Sequence, residues 1–220
     1  MRIAVLGTGA VGRTLAGALA AQGDDVTLGT RDPEATRGDA ASDVPGFLDT
    51  HPDVALATFA DAADGAELTV LAVGGRHALE VVAEARAGLA GKVLLDLTNP
   101  LDFSGGFPPT LTVCNTTSLG EQVQDAAPDA RVVKALNTVN VDVMVEPAAV
   151  GDGAHDLFIC GNDADAKQAI ATLLRERFGW QSMIDLGDIS ASRGTEMYLA
   201  LWTRTMAALG TARFNIHVVR

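Results

Sequence analysis

Short apolar runs alternate along this chain with stretches in which apolar positions recur every three or four residues. The first run, Arg2-Ile3-Ala4-Val5-Leu6, leads into a segment with Val11, Leu15 and Leu19 at helical spacing, and then into Asp25-Val26-Thr27-Leu28. This spacing predicts strand, helix, strand. Leu68-Thr69-Val70-Leu71-Ala72-Val73 is a continuous apolar and β-branched run, the mark of a strand buried on both faces. A helix is predicted over 77–87 and a strand over 92–97, closing at Thr98-Asn99-Pro100. Further strands are predicted over 131–136, 157–160 and 181–186, with a helix over 164–178 started by Asn162 or Asp163 as N-cap. A modest strand over 54–58 and a helical turn over 61–64 complete the first half, and the acidic stretch 32–53 reads as a loop with a short helix. The last helix, over 190–209, carries Met197, Leu201, Trp202, Met206 and Leu209 on one apolar face, which suits core or a subunit interface.

Alternation of strand and helix at this spacing predicts an α/β fold of the Rossmann type. The expected form is a doubly wound, mainly parallel sheet with helices on both faces and a small C-terminal helical extension. The chain is expected to form one domain, with a dinucleotide-binding core over 1–140 and an extension over 141–220 that completes an acceptor site and forms a dimer interface. Ligands of such sheets bind beyond the carboxyl ends of the strands. The informative loops are therefore those after Leu6, Leu28, Val73, Leu97 and Leu136. The stretch 101–116, rich in Gly and Pro, is long enough for a flap over that edge or for a plain surface loop.

The first of these loops is Gly7-Thr8-Gly9-Ala10-Val11-Gly12, between a strand and a helix. In a dinucleotide fingerprint of this form Gly7 permits the tight turn, Gly9 lets backbone N–H groups approach a pyrophosphate, and Gly12 lets helix and strand pack closely. The second strand ends in Gly29-Thr30-Arg31. A hydroxyl and a guanidinium here suit the 2′-phosphate of NADP(H) better than the bare ribose of NAD, which an acidic residue would hold. Asp32 is the alternative, as a ribose ligand, if the turn is shifted. Asn99, in the turn that closes the strand over 92–97, joins the cofactor-binding candidates.

The 220 residues carry 16 Lys and Arg against 28 Asp and Glu, a net charge of −12, with no basic run. Nucleic-acid binding is therefore not expected, and a phosphate-bearing cofactor must be captured by local donors. No apolar segment approaches the ~20 residues of a membrane helix, and a strand starts at once, so a cytoplasmic protein without membrane contact is expected. Cys114 and Cys160, both in apolar settings, are expected to be free buried thiols. No nucleophile elbow, zinc-spaced cluster or carboxylate pair is visible, so neither a metal nor a catalytic side chain is expected. His77 alone of the four histidines lies near a cofactor loop, where it could touch ligand or start a helix at the surface. Arg193 could contact cofactor or acceptor, or form a structural salt bridge.

Several segments together carry a resemblance: Gly7 to Gly12, Gly29-Thr30-Arg31, Val133-Lys134-Ala135-Leu136-Asn137-Thr138, Phe158-Ile159-Cys160-Gly161-Asn162, and Asp185 to Arg193. They resemble the F420-dependent NADP oxidoreductases and the NADPH-flavin domain of the STEAP metalloreductases. The resemblance implies hydride transfer between NADP(H) and a flavin-like ring, F420 or FMN/FAD, at the carboxyl edge of the sheet. By the same resemblance Thr8, Thr30 and Arg31 hold the 2′-phosphate and adenosine ribose, Val73 and Gly74 pass beneath the nicotinamide ribose, and Asn137, Thr138, Val139, Asn140 and Val141 line the acceptor pocket. The F420 branch carries His at the position of Asn137 and a Pro-Ala pair near Asn140-Val141; Asn137 matches the STEAP-like branch. A homodimer is also implied. The other functional readings are an NADPH-dependent dehydrogenase acting directly on a small carbonyl or imine, and a non-catalytic NADPH-binding sensor.

Overall fold

The computed structural model describes residues 1–219. Alternate residues of the first strand, β1 (Arg2–Leu6), enter different cores: Ile3 and Val5 pack on one face and Ala4 and Leu6 on the other. This is the period-two consequence of a strand covered on both sides. The remaining strands are β2 (Asp25–Thr30), β3 (Ala55–Thr58), β4 (Leu68–Leu71), β5 (Val93–Asp96), β6 (Leu101–Asp102), β7 (Thr110–Leu111), β8 (Arg131–Ala135), β9 (Asp156–Gly161) and β10 (Ser182–Asp185). Eight of them form one sheet in the order β10-β9-β8-β5-β4-β1-β2-β3, and β6 pairs with β7 in a separate hairpin. All neighbours in the large sheet are parallel except β8 and β9. The order reverses between β1 and β4, which opens the crevice where doubly wound sheets take ligands.

The helices are α1 (Ala10–Ala21), α2 (Pro33–Gly38), α3 (Val44–Thr50), α4 (Phe59–Gly65), α5 (Ala78–Leu89), α6 (Leu119–Ala126), α7 (Val141–Val145), α8 (Ala164–Phe178) and α9 (Ser192–Leu209). Leu15 and Leu19 of α1 and Ile170, Leu173 and Leu174 of α8 cover one face of the sheet. Phe59 and Ala62 of α4, Val81, Val82 and Ala85 of α5 and Val123 of α6 cover the other. The fold is thus the α/β, mainly parallel, Rossmann-like sheet expected, ending in a long C-terminal helix. Among the described residues no helix is long and apolar enough to cross a membrane.

Several local expectations change. Cys114 is exposed, because it lies in the irregular segment between β7 and α6, outside the packed layers. Cys160 is buried in β9, and burial pushes its thiol up to about 12. The stretch 32–53 forms two helices, α2 and α3, and 101–116 contains the β6–β7 hairpin. The expected elements include neither α6 nor α7, although Leu119 and Val123 of α6 are buried at helical spacing. The N-terminus of α6 had a local signal, for Ser118 Oγ accepts from Glu121 N at 3.2 Å and donates to the Glu121 carboxylate at 2.7 Å. Asp163 caps α8, while Asn162 accepts from Ile189 N at 3.1 Å. The buried side of α9 is Ser192, Thr195, Glu196, Leu199 and Thr203, so this helix turns a largely polar stripe inward.

Candidate cofactor and acceptor site

The turn from β1 into α1 is shaped by contacts that only glycine allows. Gly7 has φ +123°, and a Cβ there would stand 2.7 Å from the Ala72 carbonyl oxygen; a Cβ on Gly12 would stand 2.0 Å from that of Gly7. Gly9 is different, with nothing within 4 Å of its missing Cβ. It is the N-cap of α1, and no side chain caps the free amides that follow. These amides and the positive end of the helix dipole suit an anion such as a diphosphate. Arg13 stiffens the cradle by donating to the Thr8 carbonyl at 2.7 Å and to Asp43 at 2.7 Å. Ala10 is exposed and also borders a groove with Gly17, Phe47 and His51.

Beyond the cradle a cavity of about 260 Å³ is bordered by Gly7, Thr8, Gly9, Thr30, Arg31 and His77. Thr30 is largely buried and its hydroxyl meets that of Thr36 at 2.8 Å. The Arg31 side chain is exposed and lies 3.2 Å from Glu80. Asp32 is already engaged as the N-cap of α2, accepting from Ala35 N at 3.0 Å.

Ala72, Val73, Gly74 and His77 also border a second cavity of about 610 Å³. It gathers Val11 from the cradle, Asn99 from the loop after β5, and Asn137, Thr138, Val139, Asn140 and Val141 from the loop after β8. Asn99 Nδ2 donates to the Asn137 backbone carbonyl at 2.8 Å, and Asn137 Nδ2 donates to Asn99 Oδ1 at 3.0 Å. Asn140 caps α7 by accepting from Asp142 N at 3.0 Å. Leu101, Phe103, Met144, Leu199 and Trp202 also stand in its wall, with Arg76, Leu97 and Thr98. Sequence reasoning singled out none of these as site residues, although it allowed the stretch 101–116 to be a flap over this edge. Trp202 lay in the apolar stripe of the last helix; it borders the cavity and stacks on Phe214, with centroids 5.3 Å apart. Two polar atoms of this wall, Asn137 Oδ1 and Trp202 Nε1, are buried without a hydrogen-bond partner.

Behind the wall lies a charged core. The Lys134 ammonium, wholly buried, stands 2.8 Å from Asp96 and 2.9 Å from Glu196, and donates to the Thr98 carbonyl at 2.6 Å. Burial alone would lower the lysine's pKa, but the two carboxylates outweigh it and hold the ammonium above its ordinary value. Glu196 in turn accepts from Leu119 N and Gly120 N, each at 2.8 Å, at the start of α6. A lysine inside an apolar strand was the visible signal for this network.

The profile of the family described as NADP oxidoreductase coenzyme F420-dependent matches residues 2–100. An F420-dependent NADP reductase of Methanothermobacter marburgensis is 30% identical over 200 residues, which are 89% of this chain and 88% of that protein. The chain belongs to the F420-dependent NADP oxidoreductase family. It is also similar to a crystal structure from Arthrobacter sp. FB24, provisionally described as an F420-dependent NADP reductase, with 54% identity, full coverage of both chains and a TM-score of 0.96. Metalloreductase STEAP3 of Rattus norvegicus is 28% identical over 95% of this chain, which spans 39% of that protein's length.

As a member of the F420-dependent NADP oxidoreductases, the chain is an NADP-dependent oxidoreductase in kind. Arg193 forms the salt bridge that was one of its two expected roles. Its Nε donates to Glu121 at 2.8 Å and its Nη2 to the other carboxylate oxygen, tying α9 to α6. His77 borders both cavities, with its ring 3.7 Å from Glu80 and its Nε2 2.9 Å from Arg76 Nε.

Proposed function

We propose that this protein transfers hydride between NADP(H) and a deazaflavin (F420) or a flavin (FMN or FAD). The observation that carries the reading is the pair of cavities that share Ala72, Val73 and Gly74, one beside an anion cradle and one walled in part by Phe103 and Trp202. Gly7, Thr8, Gly9, Ala10, Val11 and Gly12 would receive the diphosphate, and Thr30 and Arg31 the 2′-phosphate. Val73, Gly74, Asn99 and Asn137 would border the nicotinamide end. Asn137, Thr138, Val139, Asn140 and Val141, with Phe103 and Trp202, would enclose the acceptor. Once bound, the two ring systems supply the redox chemistry, so no side-chain nucleophile or metal is called for. The chain's work is to orient the rings and keep water out.

The decisive experiment supplies NADPH with F420, FMN, FAD or riboflavin and follows NADPH oxidation. Turnover with at least one of them is expected, and Val141→Trp, which fills the larger cavity away from the residues given to the nucleotide, should block it while sparing NADPH affinity. Steady oxidation with a simple ketone or imine, and none with the four ring acceptors, would overturn the reading in favour of a direct dehydrogenase. Tight NADPH binding with no acceptor of either class would favour a sensor.

We further propose a homodimer built on α9. Met197 and Leu201 point outward from this helix, Leu201 with 62% of its surface exposed, while the polar stripe is buried. An apolar stripe left on the outside of a helix is a surface that association would cover. Sedimentation should give a dimer at micromolar concentration, and Leu201→Glu should release monomers; a wild-type monomer would refute the assembly.

A further inference from the structure

Asn137 is 3% exposed, borders the larger cavity, and leaves its Oδ1 without a donor. The orientation of this amide is fixed by its neighbours. Asn99 spends its Nδ2 on the Asn137 backbone carbonyl, so it turns its Oδ1 to Asn137, whose Nδ2 must then face it. That leaves Asn137 Oδ1 as the acceptor turned away from the pair. Burying an acceptor with no donor is costly, and the chain pays twice, since Leu136 just before it has φ +63°, a left-handed backbone that a leucine rarely adopts. A costly backbone and an unpaired acceptor at one residue point to a ligand N–H that completes the site.

The position of the pair says which ligand group this is. A Cβ on Gly75 would stand 2.0 Å from the Asn99 carbonyl oxygen, so the Asn99 loop lies directly on the Val73-Gly74-Gly75 segment where the two cavities join. Lys134 holds the preceding carbonyl, that of Thr98, from behind. The amide pair is therefore braced at the junction that the far end of a dinucleotide reaches, and the loop cannot retreat from it.

We propose that Asn137 Oδ1 accepts a hydrogen bond from the carboxamide NH2 of the nicotinamide and thereby fixes which face of the ring looks into the acceptor cavity. This rests on the reading that the joined cavities take NADP(H). Its test is equilibrium binding of three oxidised nucleotides, NADP+, its thionicotinamide analogue, which keeps the NH2, and its 3-acetylpyridine analogue, in which a methyl replaces it. The wild type should bind the first two alike and the third about tenfold or more weakly, as expected for a lost hydrogen bond to a buried acceptor. Asn137→Leu should bind all three alike, and Asn99→Leu, which frees the amide to turn, should narrow the gap. Equal affinity of the wild type for NADP+ and the acetylpyridine analogue overturns the proposal without any variant, as does a gap that survives Asn137→Leu in a protein with native circular dichroism. If the wild type binds none of the three, the cofactor reading itself fails.

Discussion

Lys134 and Glu196 meet 2.9 Å apart with neither side chain open to solvent, joining β8, which leads into the loop at one side of the larger cavity, to α9, which borders the same cavity. The pair is one edge of a network in which a single ammonium serves two carboxylates and a backbone carbonyl. Removing one member of such a network strands the others in a medium that solvates them poorly.

Lys134→Met should therefore destabilise the fold by about 3–5 kcal/mol, since it leaves Asp96 and Glu196 buried without their cation. Glu196→Gln, which keeps an acceptor for one α6 amide, should cost less. Urea unfolding of the two variants measures both, and the reverse ranking would mean that the α6 amides, and not the ammonium, hold α9 in place.

Thr30 and Arg31 should give NADPH a preference over NADH on the order of 100-fold, because each charge-assisted hydrogen bond to a phosphate contributes about 1.5–3 kcal/mol. Arg31→Ala should erase most of that preference and leave NADH binding nearly unchanged. Glu80→Gln, by freeing Arg31 from its carboxylate, should tighten NADPH slightly. Dissociation constants for both nucleotides decide the matter, and equal wild-type affinities would remove the basis for the assignment.

Two glycines of the cradle should respond in opposite ways. Gly12→Ala puts a methyl 2.0 Å from the Gly7 carbonyl oxygen and should lower stability by about 1–3 kcal/mol, as overpacking does. Gly9→Ala meets nothing within 4 Å, so it should leave the melting temperature nearly unchanged while weakening NADPH. Unchanged NADPH affinity in a stable Gly9→Ala protein would mean that no ligand approaches that turn.

Asp24 links the N-terminal amino group, at 3.2 Å, with Arg177 of α8, at 2.8 Å. Burial acts to raise its pKa, but the hydrogen bonds and charges of Arg177 and the N-terminus prevail and hold the carboxyl below the ordinary 3.8. A depressed carboxyl contributes stability that is complete above that ordinary value and lost as pH falls below it through the lower folded-state value. Asp24→Asn should thus be less stable than wild type at neutral pH, with the gap closing in acid. Urea midpoints followed from about pH 7 down to pH 2 would show it, and a gap independent of pH would assign the effect to packing.

The sequence by itself determined what short-range patterns encode. The runs around Val5, Leu28 and Val70 specify strands buried on both faces, the glycines at 7, 9 and 12 specify a close turn into a helix, and Thr30-Arg31 follows the second strand whatever the rest of the chain does. Each depends on a residue's own backbone preferences or on neighbours a few positions away, so each was legible, as was the family resemblance they carry. Tertiary structure alone decided the rest. The reciprocal amides of Asn99 and Asn137 and the lysine shared by Asp96 and Glu196 join residues far apart in the chain. The apolar stripe of the last helix shows the limit most clearly. Periodicity correctly found an amphipathic helix, but its polar stripe went inward because the α6 amides, Ser118 and Lys134 offered partners there that water would otherwise supply. Which face of a helix is buried depends on what the fold sets against it, and that is fixed only when the distant elements have met.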